Sequence, residues 1–338
     1  MSFYGVDYYS VDELLTDEER LTRDTVRSFV DERVMPRIAR HFRDGTFPAE
    51  LVPEFGRLGL LGITIPGYGC AGMGAVHYGL ACQELERGDS GVRSFCSVQG
   101  SLVMTPIYEF GSEEQKQRWL PGMARGEIIG CFGLTEPDFG SNPAGMLTTA
   151  KKHPGGGYLL NGTKRWITNG SVAAVALVWA KLDGVVRGFL VPKGAKGFAA
   201  RDLHGKYSLR ASVTSELFLE DCEVGEDAIL PGVKGMRGPL SCLNHARYGI
   251  SWGVIGAMMA CYDEALSYAK SRVQFSRPIA GYQLVQAKLV EMLQEITKAQ
   301  LLSLRLGRLK ESDKVRPQQI SLAKRNNVYW AREIARMG

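Results

Sequence analysis

Tyr158-Leu159-Leu160-Asn161-Gly162-Thr163-Lys164-Arg165-Trp166-Ile167-Thr168-Asn169 is the stretch that decides the fold. Aromatic, aliphatic and β-branched residues suit a pleated, half-buried surface. Asn161-Gly162 interrupts them with a pair that tolerates the positive φ angles of a type I′ turn. A hairpin is therefore predicted, with residues 158–160 and 163–168 as its strands. Outward from it, Asp183-Gly184 separates Val175 to Leu182 from Val185 to Val191 in the same manner, and Val213 to Glu223 adds a further strand. The interval from about Glu127 to Pro231 is expected to be an antiparallel β domain. A sandwich that holds no ligand is its bland alternative.

On either side the period shifts from two to about 3.6. Thr16-Asp17-Glu18-Glu19 reads as a capping box opening a helix, with Leu21, Val26, Phe29, Val30, Val34 and Ile38 as its apolar stripe and Pro36 kinking or ending it. Further helices are predicted around 49–58, 73–87, 93–109 and 113–124, the last opened by a second capping box, Ser112-Glu113-Glu114-Gln115. Past Pro239, three long helices are expected: Leu240 to about Arg272, Gln283 to Lys310, and Gln318 to the end. Leu284, Leu289, Met292, Ile296, Leu301 and Leu304 form the wide apolar face of a bundle and suit an oligomer contact. The fold class is thus α+β, divided into an N-terminal helical domain (1–126), a middle β domain (127–238) and a C-terminal helical domain (239–338).

Composition narrows the function. A chain of 338 residues, 45% hydrophobic, buries a sizeable core without staples. Its 41 basic and 36 acidic side chains are dispersed, so the net charge of +5 gives no nucleic-acid or membrane footprint. Seven cysteines without a CxxC pair point to reduced thiols. Five scattered histidines assemble no local metal site. The acidic start MSFYGVDYYSVDELLTDEER is unlike a secretory signal, and no apolar run nears the roughly 20 residues that span a bilayer. A cytoplasmic protein is expected, or a mitochondrial-matrix one in a eukaryote.

Gly67-Tyr68-Gly69-Cys70-Ala71-Gly72 matches GxGxxG after an apolar stretch. A nicotinamide-binding turn would need a strand on each side, yet residues 91–110 read as a helix and Pro66 stands where the first strand should end. The alternative is a glycine-rich loop that lets backbone approach something closely.

Three further features belong together: Cys131-Phe132-Gly133-Leu134-Thr135-Glu136-Pro137-Asp138-Phe139-Gly140-Ser141-Asn142, then Gly162 to Asn169, then Arg272-Val273-Gln274-Phe275. In this order, and over essentially the whole chain, they resemble the acyl-CoA dehydrogenase family. The resemblance implies an FAD-dependent enzyme acting on an acyl-CoA. In it, Leu134 and Thr135 bond the flavin, Trp166 and Ile167 lie at the ring, Thr168 donates near the hydride-accepting nitrogen, and Phe132 borders both ligands. Ser141 would contact flavin phosphate or the CoA. Arg272 would meet the FAD pyrophosphate across a subunit boundary, with Phe275 near the adenine and Gln283 on the next helix. Without the resemblance, Trp166 would read as a core aromatic and Arg272 as a charge at a helix C-terminus. Asn142 departs from the acidic residue common after Gly-Ser.

Residues 84–94, Ser208-Leu209-Arg210-Ala211-Ser212 and residues 242–249 look most like glutaryl-CoA dehydrogenases. That implies oxidation and decarboxylation of glutaryl-CoA to crotonyl-CoA and CO2, with electrons passed to electron-transfer flavoprotein, in a homotetramer that serves lysine and tryptophan degradation. A carboxylate-tailed substrate needs a buried partner. Arg93 is the candidate, with Ser94 and Ser97 as supplementary donors and Glu86 tuning it; a surface Arg93–Glu86 ion pair is the alternative. Leu240, Leu243, Asn244 and Arg247 would line the acyl-thioester side. The family's base is a glutamate in a YEG-type loop, and Ala246 carries no acid where a subset of the family places one. The catalytic glutamate is therefore expected beyond Gly338, in a longer enzyme. Alternatives are a non-catalytic flavin or acyl-CoA binding protein, a short-chain acyl-CoA dehydrogenase, or an oxidase.

Overall fold

The computed structural model describes Phe3 and residues 5–338. Its helices before the sheet are α1 (Asp17–Phe29), α2 (Met35–Asp44), α3 (Val52–Arg57), α4 (Ala75–Gly88), α5 (Ser90–Ser97), α6 (Thr105–Phe110) and α7 (Glu113–Ala124). The strands follow as β1 (Gly130–Gly133), β2 (Thr149–Lys152), β3 (Tyr158–Thr168), β4 (Val175–Leu182), β5 (Val185–Pro192), β6 (Phe198–Asp202) and β7 (Thr214–Val224). Last come α8 (Arg237–Ser271), the short strands β8 (Val273–Gln274) and β9 (Arg277–Pro278), α9 (Gln283–Glu311) and α10 (Pro317–Met337). This is the helical, β-sheet, helical order expected. Two compact units interleave along the chain: one holds residues up to Ile38, Gly74–Arg93 and Arg247–Gly338, the other Ala39–Met73 and Ser94–Ala246.

In the first unit both partners of the Thr16–Glu19 capping box engage, at 3.2 and 2.8 Å. The apolar stripe of α1 begins at Val26, because Leu21 is 67% exposed. Pro36 does not end the helix. Residues 30–34 loosen into a π turn, and the Met35 N–H reaches back to Val30; widening the ladder just ahead of a residue that cannot donate lets the helix continue to Asp44. Between α1 and α4, Glu84 takes Arg27 at 2.9 Å and Arg87 at 3.1 Å. Ile255, Met258, Met292, Ile296 and Ile334 form the bundle core, each such side chain stabilising by about 1.5–3 kcal/mol. Leu284, expected on that core face, is exposed.

The second unit carries the seven-stranded sheet, ordered β1-β4-β2-β3-β7-β6 with β5 on β4. It is antiparallel apart from the β1–β4 and β2–β4 pairings. Asp183 and Gly184 make the expected I′ turn, both with positive φ. Asn161-Gly162, however, does not turn: Tyr158–Thr168 is one unbroken strand along β7. The Asn161 side chain instead exchanges two 2.9 Å hydrogen bonds with Asp221 of β7. Gly162 sits at a register shift, where a Cβ would fall 2.4 Å from the Thr148 hydroxyl. A bulge, and not a hairpin, is what the glycine serves. The turn that feeds β3 lies earlier, where His153 and Gly157 close it at 3.0 Å. Residues 66–74 form the glycine-rich loop, and a Cβ at Gly67 would meet nothing. Gly67, Gly69 and Gly72 of the GxGxxG match answer positive φ angles, not the close approach expected of them.

Candidate functional site

The loop after β1 is fixed to β3 by a buried ion pair. Lys164 has no solvent exposure, and its Nζ donates to Glu136 Oε1 at 2.8 Å and to the Leu134 carbonyl at 3.2 Å. Glu136 also accepts the Leu147 N–H at 2.6 Å, the Thr148 N–H at 2.9 Å and the Thr148 hydroxyl. Next to it the Arg165 N–H donates to the Thr135 carbonyl at 2.8 Å. Burial would raise the Glu136 carboxyl, but Lys164, Thr148 and Leu147 together hold it below its usual value. Burial also pushes the Lys164 ammonium down to about 8, against the pull of Glu136. The runs 131–141 and 164–169 therefore meet through this clip and not across a hairpin. Upstream, the Gln99 amide anchors the start of β1 by bonding Ile128 O and Gly130 N at 2.7 and 2.8 Å.

The clip ends at an irregularity that aims a tryptophan outward. Between Lys164 and Ile167 the register with β7 shifts, and Trp166 takes φ 61° with 57% of its surface exposed. Bulges re-aim side chains, and a bulky residue in the left-handed region marks stored strain. Trp166 is thus no core aromatic. Arg165 covers one side of its ring at 5.1 Å while pairing with Glu216 at 2.8 Å. Ile167 turns into the sheet core, Phe132 packs edge-on to Trp179, and Leu134 is buried. Thr135 and Thr168 are half-buried, with hydroxyls that bond no other described residue. A flavin needs a few fixed polar partners on an otherwise apolar wall. An exposed indole beside two uncommitted hydroxyls fits it. Ser141 and Asn142 lie exposed past the clip.

In the other unit, Arg93 Nε meets Glu86 Oε2 at 2.6 Å, its Nη2 meets Oε1 at 3.4 Å, and Ser90 Oγ donates to Oε1 at 2.9 Å. Both charged residues are buried, so the pair is not the surface contact of the alternative reading. Burial opposes the Arg93 charge and Glu86 more than restores it. The Nη1 donors bond no described residue. Of the other candidates on α5, Ser94 is half-buried and Ser97 buried.

Leu240, Leu243, Asn244 and Arg247 recur on one face of α8. Leu240 is exposed and the other three half-buried; Arg247 spends Nη1 on Ser321 Oγ at 3.0 Å. Past the end of α8, Arg272 is exposed with a guanidinium that bonds no other described residue, and Gln283 opens α9. Phe275 and Ser276, with φ 50° and 63°, turn the β8–β9 hairpin and leave Phe275 89% exposed. Lys164, Glu136 and Gln99 escaped the sequence reading. A lysine on the same strand parity as the buried Leu160 was the available signal.

Models of the acyl-CoA dehydrogenase N-terminal, middle and C-terminal domains match residues 16–127, 131–222 and 233–337. Short-chain specific acyl-CoA dehydrogenase from Homo sapiens is 35% identical over 325 residues, 94% of this chain and 78% of that protein. A crystal structure of glutaryl-CoA dehydrogenase from Mycobacterium smegmatis is 56% identical with TM-score 0.95, covering 97% of this chain and 84% of that one. Another from that organism, in complex with FADH2, is 54% identical with TM-score 0.96 and covers 98% and 86%. With all three domain models matched in order and its sheet and helices arranged accordingly, the chain belongs to the acyl-CoA dehydrogenase family.

Proposed function

We propose that this protein is an FAD-dependent acyl-CoA dehydrogenase that oxidises and decarboxylates glutaryl-CoA to crotonyl-CoA and CO2, passing electrons to electron-transfer flavoprotein. One observation carries the substrate: the buried Glu86–Arg93 pair that leaves the Nη1 edge of Arg93 open. An unpaired carboxylate in an enclosed site costs several kcal/mol, and a guanidinium edge offset by a single acid offers it charge-assisted donors. The higher identity to glutaryl-CoA dehydrogenase than to the short-chain enzyme supports the same choice.

FAD supplies the two-electron acceptor when bound. Trp166 would shield the bound flavin from water, while Thr135, Thr168 and the backbone at Leu134 would offer it hydrogen bonds. Arg93 fixes the tail carboxylate, which orders the α and β carbons for reaction. Oxidation hands the α proton to a general base; the bond to the tail carboxylate then breaks, its electron pair passes into the conjugated thioester, the base returns a proton at the γ carbon, and Arg93 releases CO2. The uncommitted Arg272 and exposed Phe275, Leu284 and Val290 support a homotetramer in which Arg272, Phe275 and Gln283 serve a neighbouring cofactor.

Titrating the FAD-loaded protein with glutaryl-CoA and butyryl-CoA, followed by flavin absorbance, tests the reading. Tighter binding of glutaryl-CoA with anaerobic bleaching is expected. Preference for butyryl-CoA overturns the substrate, and bound FAD that neither thioester bleaches overturns the reaction.

A further inference from the structure

Helix α8 carries Gly249, Gly253 and Gly256 on the face that packs against α4. None has a positive φ, so backbone conformation does not require them. Glycine weakens a helix interior, and each therefore answers a close approach. The three approaches differ. A Cβ at Gly256 would lie 1.8 Å from the Gln83 carbonyl oxygen, and one at Gly249 would lie 2.6 Å from the Tyr78 hydroxyl. A Cβ at Gly253 would lie 2.0 Å from Glu86 Oε2 and 3.1 Å from Arg93 Nε. At Gly256 backbone touches backbone, which is packing; at Gly253 the helix surface touches the charged pair itself.

Resting on the functional reading above, we infer that Gly253 is a positioning residue for carboxylate recognition: its missing Cβ is the space in which the Glu86 carboxylate lies while it holds Arg93. The contact decides which guanidinium edge stays open. Glu86 takes Nε and Nη2 only by lying against α8 at this position, and Nη1 is left for the ligand. A methyl group at 253 displaces the end of a flexible side chain and not backbone. Glu86 then swings away, Arg93 loses the partner that orients it, and the ligand carboxylate loses directed donors.

The test compares the Kd ratio of butyryl-CoA to glutaryl-CoA, read from the flavin spectrum, in wild type, Gly253→Ala, Glu86→Asp and the double variant. Losing a charge-assisted hydrogen bond should cut the ratio about ten- to a hundredfold in Gly253→Ala. Because the effect passes through Glu86, adding Gly253→Ala to Glu86→Asp should change the ratio little further. An unchanged ratio in Gly253→Ala overturns the inference, and so does an additive pair. Should Gly253→Ala fail to fold, a double variant that folds sustains the inference and one that also fails overturns it. A wild type without preference for glutaryl-CoA removes the functional reading and the inference together. Preference lost in Arg93→Gln yet kept in Gly253→Ala removes the inference alone.

Discussion

Two buried ion pairs, one in each compact unit, are finished differently. Glu136 is surrounded by Lys164, two backbone N–H groups and a hydroxyl, whereas Arg93 meets one carboxylate and keeps donors in reserve. Burying charge is costly unless every partner is present. A saturated pair is therefore read as a fastener, and a pair with an open edge as part of a binding site. Under the proposed function, the first holds the flavin platform in shape and the second receives the tail of a substrate.

Lys164→Met should break this contrast most severely. It strands the Glu136 carboxylate and should cost about 3–5 kcal/mol, measured as a lower denaturation midpoint with loss of FAD from the purified protein. Arg93→Gln should retain FAD but lower the preference for glutaryl-CoA about ten- to a hundredfold, measured by spectral titration. The two changes should not exchange phenotypes.

The Glu136–Lys164 pair should also respond to pH. Glu136 has a folded value below its usual 4.5, so its stabilisation is full above that value and is lost as pH falls through the folded one. Lys164 has the opposite bias. With its folded value near 8 instead of 10.5, the unfolded chain binds the proton more tightly, and stability assigned to Lys164 rises with pH across that interval. Glu136→Gln should flatten the acid limb of the stability profile, as followed by urea midpoints from pH 3 to 6, a window of about this width around the carboxylate range. Trp166→Gly should have the smallest effect on folding, gaining at most about 1 kcal/mol by relieving the φ 61° backbone while weakening FAD retention. Thermal melts with and without FAD would show the opposed signs.

How much of this was legible depends on how local its physics is. The capping boxes at Thr16 and Ser112 and the turn at Asp183-Gly184 formed as read, because each is decided within four residues. Asn161-Gly162 carried the same local signal and was overruled by Asp221, 60 residues away, which gave the asparagine a better use than a turn. The Glu86–Arg93 pairing was visible at short range, but its burial depends on α8 passing at Gly253. Likewise, no local pattern marks Lys164 as the partner of Glu136 across 28 residues. The bulge that aims Trp166 arises only from the mismatch of β3 with β7. The motifs that marked the flavin platform were readable, while the clip that shapes it and the clearance behind Arg93 belong to tertiary packing.

The most direct measurement is a paired titration of wild type and Arg93→Gln with glutaryl-CoA and butyryl-CoA, followed through the bound flavin. A wild-type preference for glutaryl-CoA that disappears in Arg93→Gln, with FAD still bound, is the predicted result. A preference that survives the substitution would contradict the role given to the open edge of Arg93.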